Sequence, residues 1–127
     1  MRGKMAFKQM KFSSGVIKDQ GLGKALGFPT ANLVIPSGFS LPFGVYSARV
    51  RIFGEWRKAA LHFGPRPAIG KSESSLEVHI LDFSGDLYGT LVEVEVGDFL
   101  REIQTFASTD ALKEQMRRDC DRVRERA

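Results

Sequence analysis

Cysteine and long apolar runs are almost absent from this 127-residue sequence. Cys120 is the single cysteine, and no apolar stretch approaches the length of a membrane span. One cysteine cannot form a disulfide within the chain, which is typical of proteins in a reducing compartment. Residues 1–12 also lack the apolar core of a secretory signal. These absences predict a cytoplasmic protein that does not associate with membranes.

The sequence also lacks internal repeats, low-complexity linkers and any alternation of strands with helices. Its length suffices for one compact domain without metal or disulfide cross-links, and 43% hydrophobic and 27% charged residues are typical of a globular protein. We therefore expect a single domain over residues 1–127, and a monomer. Residues 1–12 are basic and without periodicity, which predicts either a disordered leader or a first strand.

A run of arginines near the C-terminus contributes much of the net charge of +4. Acidic residues are interspersed there, so the run is typical of a solvated helix face. We expect no nucleic-acid partner on this basis. A basic surface that binds phosphate backbones is the alternative.

Period-two alternation of apolar and polar residues predicts strands over residues 44–53, 56–63, 76–83 and 90–96. Loops are predicted for the glycine-rich residues 15–27, the prolines of 64–67 and the polar residues 71–75. After Phe106 the pattern becomes helical: Ser108 is a suitable N-cap, and Leu112, Met116, Cys120 and Val123 lie on one stripe. This order predicts an antiparallel barrel or sandwich capped by a C-terminal helix.

Residues 27–33 carry the first candidate site. Pro29 excludes a helix interior, and in an extended segment Thr30 and Asn32 point to the same side. A hydroxyl and a carboxamide beside glycine amides suit a Mg²⁺ ion that carries nucleotide phosphates. A strand entry with an Asn turn is the alternative.

The glycine-rich loop is the second candidate. Its glycines, with Gly21 and Gly23 among them, allow backbone amides to approach phosphate oxygens, and Lys18 or Lys24 supplies positive charge. The loop matches neither common phosphate-binding fingerprint, so a simple turn remains the alternative.

A strand carboxylate and a group of aromatic residues complete the candidates. Glu77 suits a general base if it reaches the proton to be removed, and is otherwise a surface residue. His62 and His79 are ambiguous, and no ligand spacing indicates zinc. Tyr88, Phe99, Arg101 and Phe106 lie where they can hold a flat heteroaromatic ligand, or else are core residues beside a charge at the rim.

Taken together, these motifs resemble the riboflavin kinase family, whose domain forms one half of bifunctional riboflavin kinase/FAD synthetases in many bacteria. The motifs follow the family order: the glycine loop, LGFPTANL at 26–33, GVYSA at 44–48, GxRP at 64–67, EVHILDF at 77–83, DLYG at 86–89, Leu100-Arg101, Phe106, Ser108, Leu112 and Asp119.

The resemblance implies a six-stranded antiparallel Greek-key barrel with a C-terminal helix, and ATP- and Mg²⁺-dependent phosphorylation of the riboflavin 5′-hydroxyl to give FMN and ADP. It implies that Thr30 and Asn32 bind Mg²⁺ and the nucleotide phosphates, and that Glu77 is the catalytic base. It implies a nucleotide flap formed by Lys18, Gly21, Gly23 and Lys24, with Tyr88 in the nucleotide pocket. It places Phe99, Arg101 and Phe106 at the isoalloxazine.

The chain departs from the family pattern at several positions. Asp19 stands near a common glycine, Lys24 replaces a common arginine, and an Asn-Ile-Gly-x-Arg-Pro-Thr element begins here with His62 and ends with Ala68. The alternative to the enzyme is therefore a catalytically weak or inactive barrel that senses flavin or nucleotide. The adenylyltransferase half is absent from this sequence, so we expect synthesis to stop at FMN.

Overall fold

The computed structural model describes residues 10–17, 27–66 and 71–126. The chain forms six strands and one helix: β1 (Lys11–Ile17), β2 (Ala31–Leu33), β3 (Gly44–Ile52), β4 (Glu55–Arg66), β5 (Lys71–Ile80), β6 (Leu91–Arg101) and α1 (Thr109–Arg124). No helix in these ranges is long and apolar enough to cross a membrane.

The six strands close into an antiparallel barrel in the order β1-β2-β5-β4-β3-β6. Strands β3, β4 and β5 follow one another as neighbours, and β6 returns beside β3, which is the connectivity of a Greek key. The predicted fold, a six-stranded antiparallel barrel followed by a helix, is confirmed.

Strand alternation divides the apolar residues between two cores. The barrel interior contains Tyr46, Val50 and Leu61, and Val50 and Leu61 are fully buried. A second cluster on the outer face consists of Val45, Leu81, Leu100, Cys120 and Val123, where α1 packs against the barrel. The helix therefore covers one outer side of the sheet and leaves the interior core to the strands.

Helix α1 begins and packs as its sequence predicts. The Ser108 hydroxyl accepts a hydrogen bond from the Ala111 N–H at 3.1 Å, and Asp110 lies in the first turn. Leu112, Cys120 and Val123 are buried, as expected from the apolar stripe.

Three predicted loops are partly strand in the structure. Residues 15–17 belong to β1, because the pairing with β6 runs through Gly15. Residues 64–66 continue β4 through a register shift, and this irregularity accommodates the missing N–H of Pro65. Residues 71–75 form the start of β5. The polar composition of this segment fits the exposure of Glu73 and Ser74.

At two strand boundaries the structure differs from the expectation. Strand β5 ends at Ile80 rather than at 83, and β6 continues to Arg101 rather than ending at 96. At the N-terminus, Lys11 and Phe12 pair with β6. The sequence predicted either a disordered leader or a first strand for residues 1–12, and residues 11–12 belong to a strand.

Candidate active site

One row of residues crosses five strands of the barrel. Successive Cα partners in the ladders are Asn32, Glu77, His62, Val45 and Arg101, which lie on β2, β5, β4, β3 and β6. Paired residues of an antiparallel ladder point to the same face of a sheet. Since Val45 packs against α1, the row lies on the outer face, toward the helix.

Glu77 is the most constrained side chain of this row. Only 8% of its surface is exposed. Its Oε1 accepts hydrogen bonds from the Thr30 hydroxyl at 3.1 Å and from the Arg66 guanidinium, and its Oε2 accepts from the Ser75 hydroxyl at 2.9 Å. The alternative in which Glu77 is a solvated surface residue is therefore wrong.

Arg66 supplies the charge that balances Glu77. The two side chains form an ion pair and are 13% and 10% exposed. A carboxylate is rarely buried without such a partner, because desolvation disfavours its charge. Arg66 was not among the residues predicted from the sequence; its place in the GxRP motif was the available signal.

His62 lies between Glu77 and Val45 in the row. Burial lowers the pKa of its ring to about 4, and the positive charges of Arg66 and Arg101 act in the same direction while Glu77 opposes them. The ring is therefore neutral at physiological pH. Its Nδ1 atom is buried without a hydrogen-bond partner among the described residues.

A first cavity lies between this face and α1. The row residues Glu77, His62 and Arg101 line it together with Thr30 and Arg66. Its apolar walls are Phe28, Val45, Leu61, Ile103, Phe106, Leu112 and Met116. A charged, hydrogen-bonded end and an apolar end thus meet in one cavity, which is the usual composition of a small-molecule site.

Arg101 is fixed at the apolar end by α1. Its Nε and Nη2 donate to the two carboxylate oxygens of Asp119 at 2.9 and 2.8 Å, and Gln115 donates to the same carboxylate at 3.0 Å. The guanidinium also lies 5.8 Å from the centre of the Phe106 ring. Arg101 is therefore an ion-paired residue whose side chain is 16% exposed, rather than a charge at the rim.

A second cavity lies on the other side of Thr30. Its lining includes Ile17, Pro29, Thr30, Phe83 and Tyr88. Tyr88 is 63% exposed there. Thr30 lines both cavities, so its hydroxyl stands at their junction beside Glu77.

The structure brings together most of the described residues that the sequence analysis selected. Thr30, Glu77, Arg101 and Phe106 line the first cavity, and Asn32 is the ladder partner of Glu77. Tyr88 lines the second cavity only. Lys18, Gly21, Gly23 and Lys24 lie outside the described residues.

Phe99 does not line either cavity. Its ring packs edge-on against Tyr46 at 5.4 Å. A bulge explains the difference: Tyr46 pairs with Phe99 while Val45 pairs with Arg101, so β6 carries one extra residue at this point. Phe99 and Arg101 consequently face different sides, whereas unbroken alternation would place them on the same side.

The oxygen atoms near Glu77 suit a hard cation. A hydroxyl from Thr30 and a carboxamide from Asn32 lie beside the carboxylate, and oxygen ligands of this kind are those that Mg²⁺ prefers. No group of three or more His, Cys, Asp or Glu side chains in the described ranges is arranged to hold a metal by itself. A cation here would need further ligands from water or from a bound phosphate.

Comparison with known proteins gives one consistent family. The riboflavin kinase family model matches residues 6–127. The bifunctional riboflavin kinase/FMN adenylyltransferase of Haemophilus influenzae is 37% identical over 115 residues, which cover 90% of this chain and 37% of that protein. The Escherichia coli protein of the same name is 39% identical over 108 residues, 84% of this chain and 34% of the relative. The chain thus spans about a third of the length of these relatives.

A shorter relative and two solved structures extend the comparison. The RNA-binding riboflavin kinase RibR of Bacillus subtilis is 33% identical over 112 residues, 87% of this chain and 48% of that protein. A Streptococcus pneumoniae structure, described as a macrolide-efflux protein, superposes with a TM-score of 0.84 at 31% identity, over 98% of this chain and 41% of its own.

Riboflavin kinase from Trypanosoma brucei shares the fold, with a TM-score of 0.65 at 21% identity over 94% of this chain and 80% of its own. The family model covers residues 6–127, nearly the whole chain. On this evidence, the chain belongs to the riboflavin kinase family.

Proposed function

We propose that this chain transfers a phosphoryl group from ATP to the 5′-hydroxyl of riboflavin and releases FMN and ADP. The observation that carries the proposal is the placement of Glu77: a buried carboxylate, oriented by three donors, in a cavity with an apolar end. This cavity meets a second one at Thr30, so two substrates have adjoining places.

The flavin belongs in the first cavity on this proposal. Ile103, Phe106 and Met116 offer apolar contact for a flat ring system, and Arg101 adds a guanidinium that Asp119 holds in place. The terminal hydroxyl then points toward Glu77. Phe99 has no direct contact in this arrangement and supports the site by packing on Tyr46.

The nucleotide belongs in the second cavity, where the exposed ring of Tyr88 is available for stacking. By resemblance to the family, we extend the nucleotide site to Lys18, Gly21, Gly23 and Lys24. Thr30 stands where the phosphates would approach the flavin.

Thr30 and Asn32 would hold Mg²⁺ together with the phosphates. The ion supplies charge neutralisation, which phosphoryl transfer requires more than covalent help from the protein. The protein's own part is to position these two oxygen donors near Glu77. Asn32 is the ladder partner of Glu77 and the Thr30 hydroxyl donates to its carboxylate, which supports this proposal.

Glu77 acts as the base in this reaction. The 5′-oxygen forms a bond to the terminal phosphorus of ATP, the bond from that phosphorus to ADP breaks, and the hydroxyl proton passes to the carboxylate. Oε2 of Glu77 accepts from Ser75, and a carboxylate oxygen has capacity for a second donor. Burial between the barrel and α1 excludes water, which limits hydrolysis of ATP.

The single cysteine, Cys120, is buried, and burial raises the pKa of its thiol to about 11. Such a thiol is unreactive. We propose a cytoplasmic protein, because a single cysteine that forms no disulfide within the chain is typical of a reducing compartment, and we propose that it is a monomer.

The test is FMN formation from riboflavin, followed by chromatography with fluorescence detection. We expect product only when ATP and Mg²⁺ are both present. We expect Glu77→Gln to lower the rate by about 10²- to 10⁴-fold, the usual contribution of a general base. We expect Asn32→Ala to raise the Mg²⁺ concentration needed for half-maximal rate.

Glu73→Gln is the matched control, because Glu73 is an exposed carboxylate on the same strand. Its rate should equal that of the wild type. If the wild-type protein binds flavin but forms no FMN, the result contradicts the proposed kinase activity and indicates a flavin sensor instead. A wild-type rate from Glu77→Gln would remove Glu77 as the base.

A further inference from the structure

His62 lies in the first cavity, and the function proposed above assigns it no task. Its Nδ1 is the single buried side-chain polar atom without a hydrogen-bond partner in the described parts of the chain. Buried polar atoms in folded proteins are almost always hydrogen-bonded. An exception inside a ligand cavity points to a partner that arrives with the ligand.

The rest of the ring determines what Nδ1 can bind. A hydrogen bond to the Pro65 backbone raises the pKa of the ring, so a ring N–H donates to that carbonyl. Because Nδ1 has no partner, this N–H belongs to Nε2. A neutral imidazole protonated on Nε2 carries a lone pair on Nδ1. Nδ1 is therefore an acceptor that suits an O–H or N–H donor.

The position of His62 in the row selects the kind of donor. His62 is the ladder partner of Glu77, so one strand spacing of about 5 Å separates their backbones. On the other side of His62 in the row, Arg101 lies two strands away. Ile103 follows Arg101 in the chain and lines the apolar end of the cavity. A substrate whose ring occupies the apolar end and whose terminal hydroxyl reaches Glu77 extends its connecting chain past His62.

We infer that Nδ1 of His62 accepts a hydrogen bond from a secondary hydroxyl of the ribityl chain of riboflavin, and that this contact directs the terminal hydroxyl toward Glu77. The inference rests on the proposed function. His62 is then a specificity residue, which favours a polyol chain over a plain alkyl chain. The histidine itself is a feature of this chain, because the family element that it resembles begins with asparagine, whose side-chain oxygen can also accept a hydrogen bond.

The experiment compares riboflavin with a flavin that carries a 5-hydroxypentyl chain and therefore only the terminal hydroxyl. Dissociation constants are measured by quenching of flavin fluorescence, which needs no turnover. We expect the wild-type protein to prefer riboflavin by about tenfold, the usual effect of one hydrogen bond in a buried site. His62→Phe should remove the preference by weakening riboflavin binding alone, and His62→Asn should retain most of it.

His79→Phe is the matched control. His79 also lines the cavity, but its Nδ1 already pairs with the Pro29 carbonyl at 2.7 Å, so its replacement should leave the preference unchanged. Melting temperatures check that each variant is folded.

Two results would overturn the inference: a preference that persists in His62→Phe, or an equal loss of affinity for both flavins. The proposed function fails separately, through the absence of FMN formation by a wild-type protein that still discriminates between the flavins. A wild-type protein that binds neither flavin overturns both proposals.

Discussion

At Glu77, one carboxylate accepts hydrogen bonds from three parts of the chain. Thr30 precedes β2, Arg66 ends β4 and Ser75 lies on β5 itself. Three donors leave the carboxylate little rotational freedom. Its orientation is thus set before a ligand arrives, which lowers the entropic part of the barrier.

The first prediction concerns the balance of charge between Glu77 and Arg66. Arg66→Met leaves a buried carboxylate without its counter-charge, and Glu77→Gln leaves a buried guanidinium. Each should lower the free energy of unfolding in urea by about 3–5 kcal/mol. The double variant should lose less than the sum of the two, since neither charge remains.

Arg51→Met is the control for this cycle, because Arg51 pairs with Glu93 where the side chains are 44% and 54% exposed. Its loss should be below about 1 kcal/mol. Strictly additive losses at positions 66 and 77 would show that the pair is not coupled.

The second prediction concerns pH and His62. The charged groups that face its ring are Arg66, Arg101 and Glu77, and burial lowers its pKa from 6.5 to about 4. Between these values the unfolded chain binds the proton and the folded protein does not, so stability falls as pH falls through this window. The resulting loss of unfolding free energy reaches about 3 kcal/mol at the acid end of this window.

Urea unfolding at a series of pH values measures this slope. The unfolding free energy of His62→Asn should change less with pH than that of the wild type between pH 6.5 and 4, because the substitution removes the titrating ring. Parallel curves for the two proteins would contradict a buried neutral histidine.

One polar side-chain cluster joins the helix to the end of β6. Asp119, on α1, binds Arg101 at the end of β6, and Gln115 binds the same carboxylate. The Arg101 and Asp119 side chains are 16% and 6% exposed. This cluster therefore fixes where the Arg101 guanidinium points, while the outer apolar cluster packs α1 on the barrel.

The third prediction follows from this cluster. Asp119→Asn leaves the Arg101 guanidinium without its counter-charge, so we expect a loss of about 3 kcal/mol in unfolding free energy. We also expect weaker riboflavin binding in a fluorescence-quenching titration, because Arg101 and Phe106 lose their fixed placement. Asp121→Asn is the control: its ion pair with Arg117 is more than half exposed, and neither quantity should change. Unaltered flavin affinity in Asp119→Asn would contradict the positioning role.

At the level of elements, the sequence was most informative where one rule decided the structure. Alternation predicts β3 because one face of that strand is the barrel interior, and the Ser108 cap predicts the start of α1. It was least informative at the start of β5, where exposed polar residues resemble a loop. The bulge in β6 is also invisible to alternation, and it is the reason that Phe99 lies apart from Arg101.

The site was predictable to the extent that its residues carry recognisable motifs. Thr30 and Asn32 were candidates from the alternation of an extended segment, whereas periodicity favoured a surface role for Glu77 and the family resemblance implied its role as the base. Ser75, two residues from Glu77, was missed because residues 71–75 were predicted as a loop, and Arg66 was missed because its contact to Glu77 depends on the pairing of β4 with β5. Spacing along the chain gives no information about such pairing.

At the scale of the whole molecule, the positive charge of the C-terminal run is largely neutralised by partners among the described residues. The arginines of the C-terminal run pair with acidic groups or a carbonyl: Arg117 with Glu114 and Asp121, Arg118 with Glu114, Arg122 with the Leu100 carbonyl, Arg124 with Asp82, and Arg126 with Asp98. This pattern favours a solvated helix face over a surface for phosphate backbones.

The fourth prediction is that the protein does not retain single-stranded RNA or DNA at physiological ionic strength, although one relative is an RNA-binding riboflavin kinase. Fluorescence anisotropy of a labelled oligonucleotide, titrated at several salt concentrations, measures this. Binding that weakens steeply as salt rises would indicate phosphate contacts and contradict the prediction. A mixture of polyarginine and the same oligonucleotide is the positive control.

The row of residues across five strands has a consequence for folding experiments. Each of these five strands contributes one side chain to the row. If a strand slips by one residue in its ladder, its side chain of the row turns to the opposite face. A species with native strands but one misaligned ladder would bind no substrate. The return of enzymatic turnover during refolding should therefore be the last signal to appear, later than circular dichroism, and would time the alignment of these four ladders.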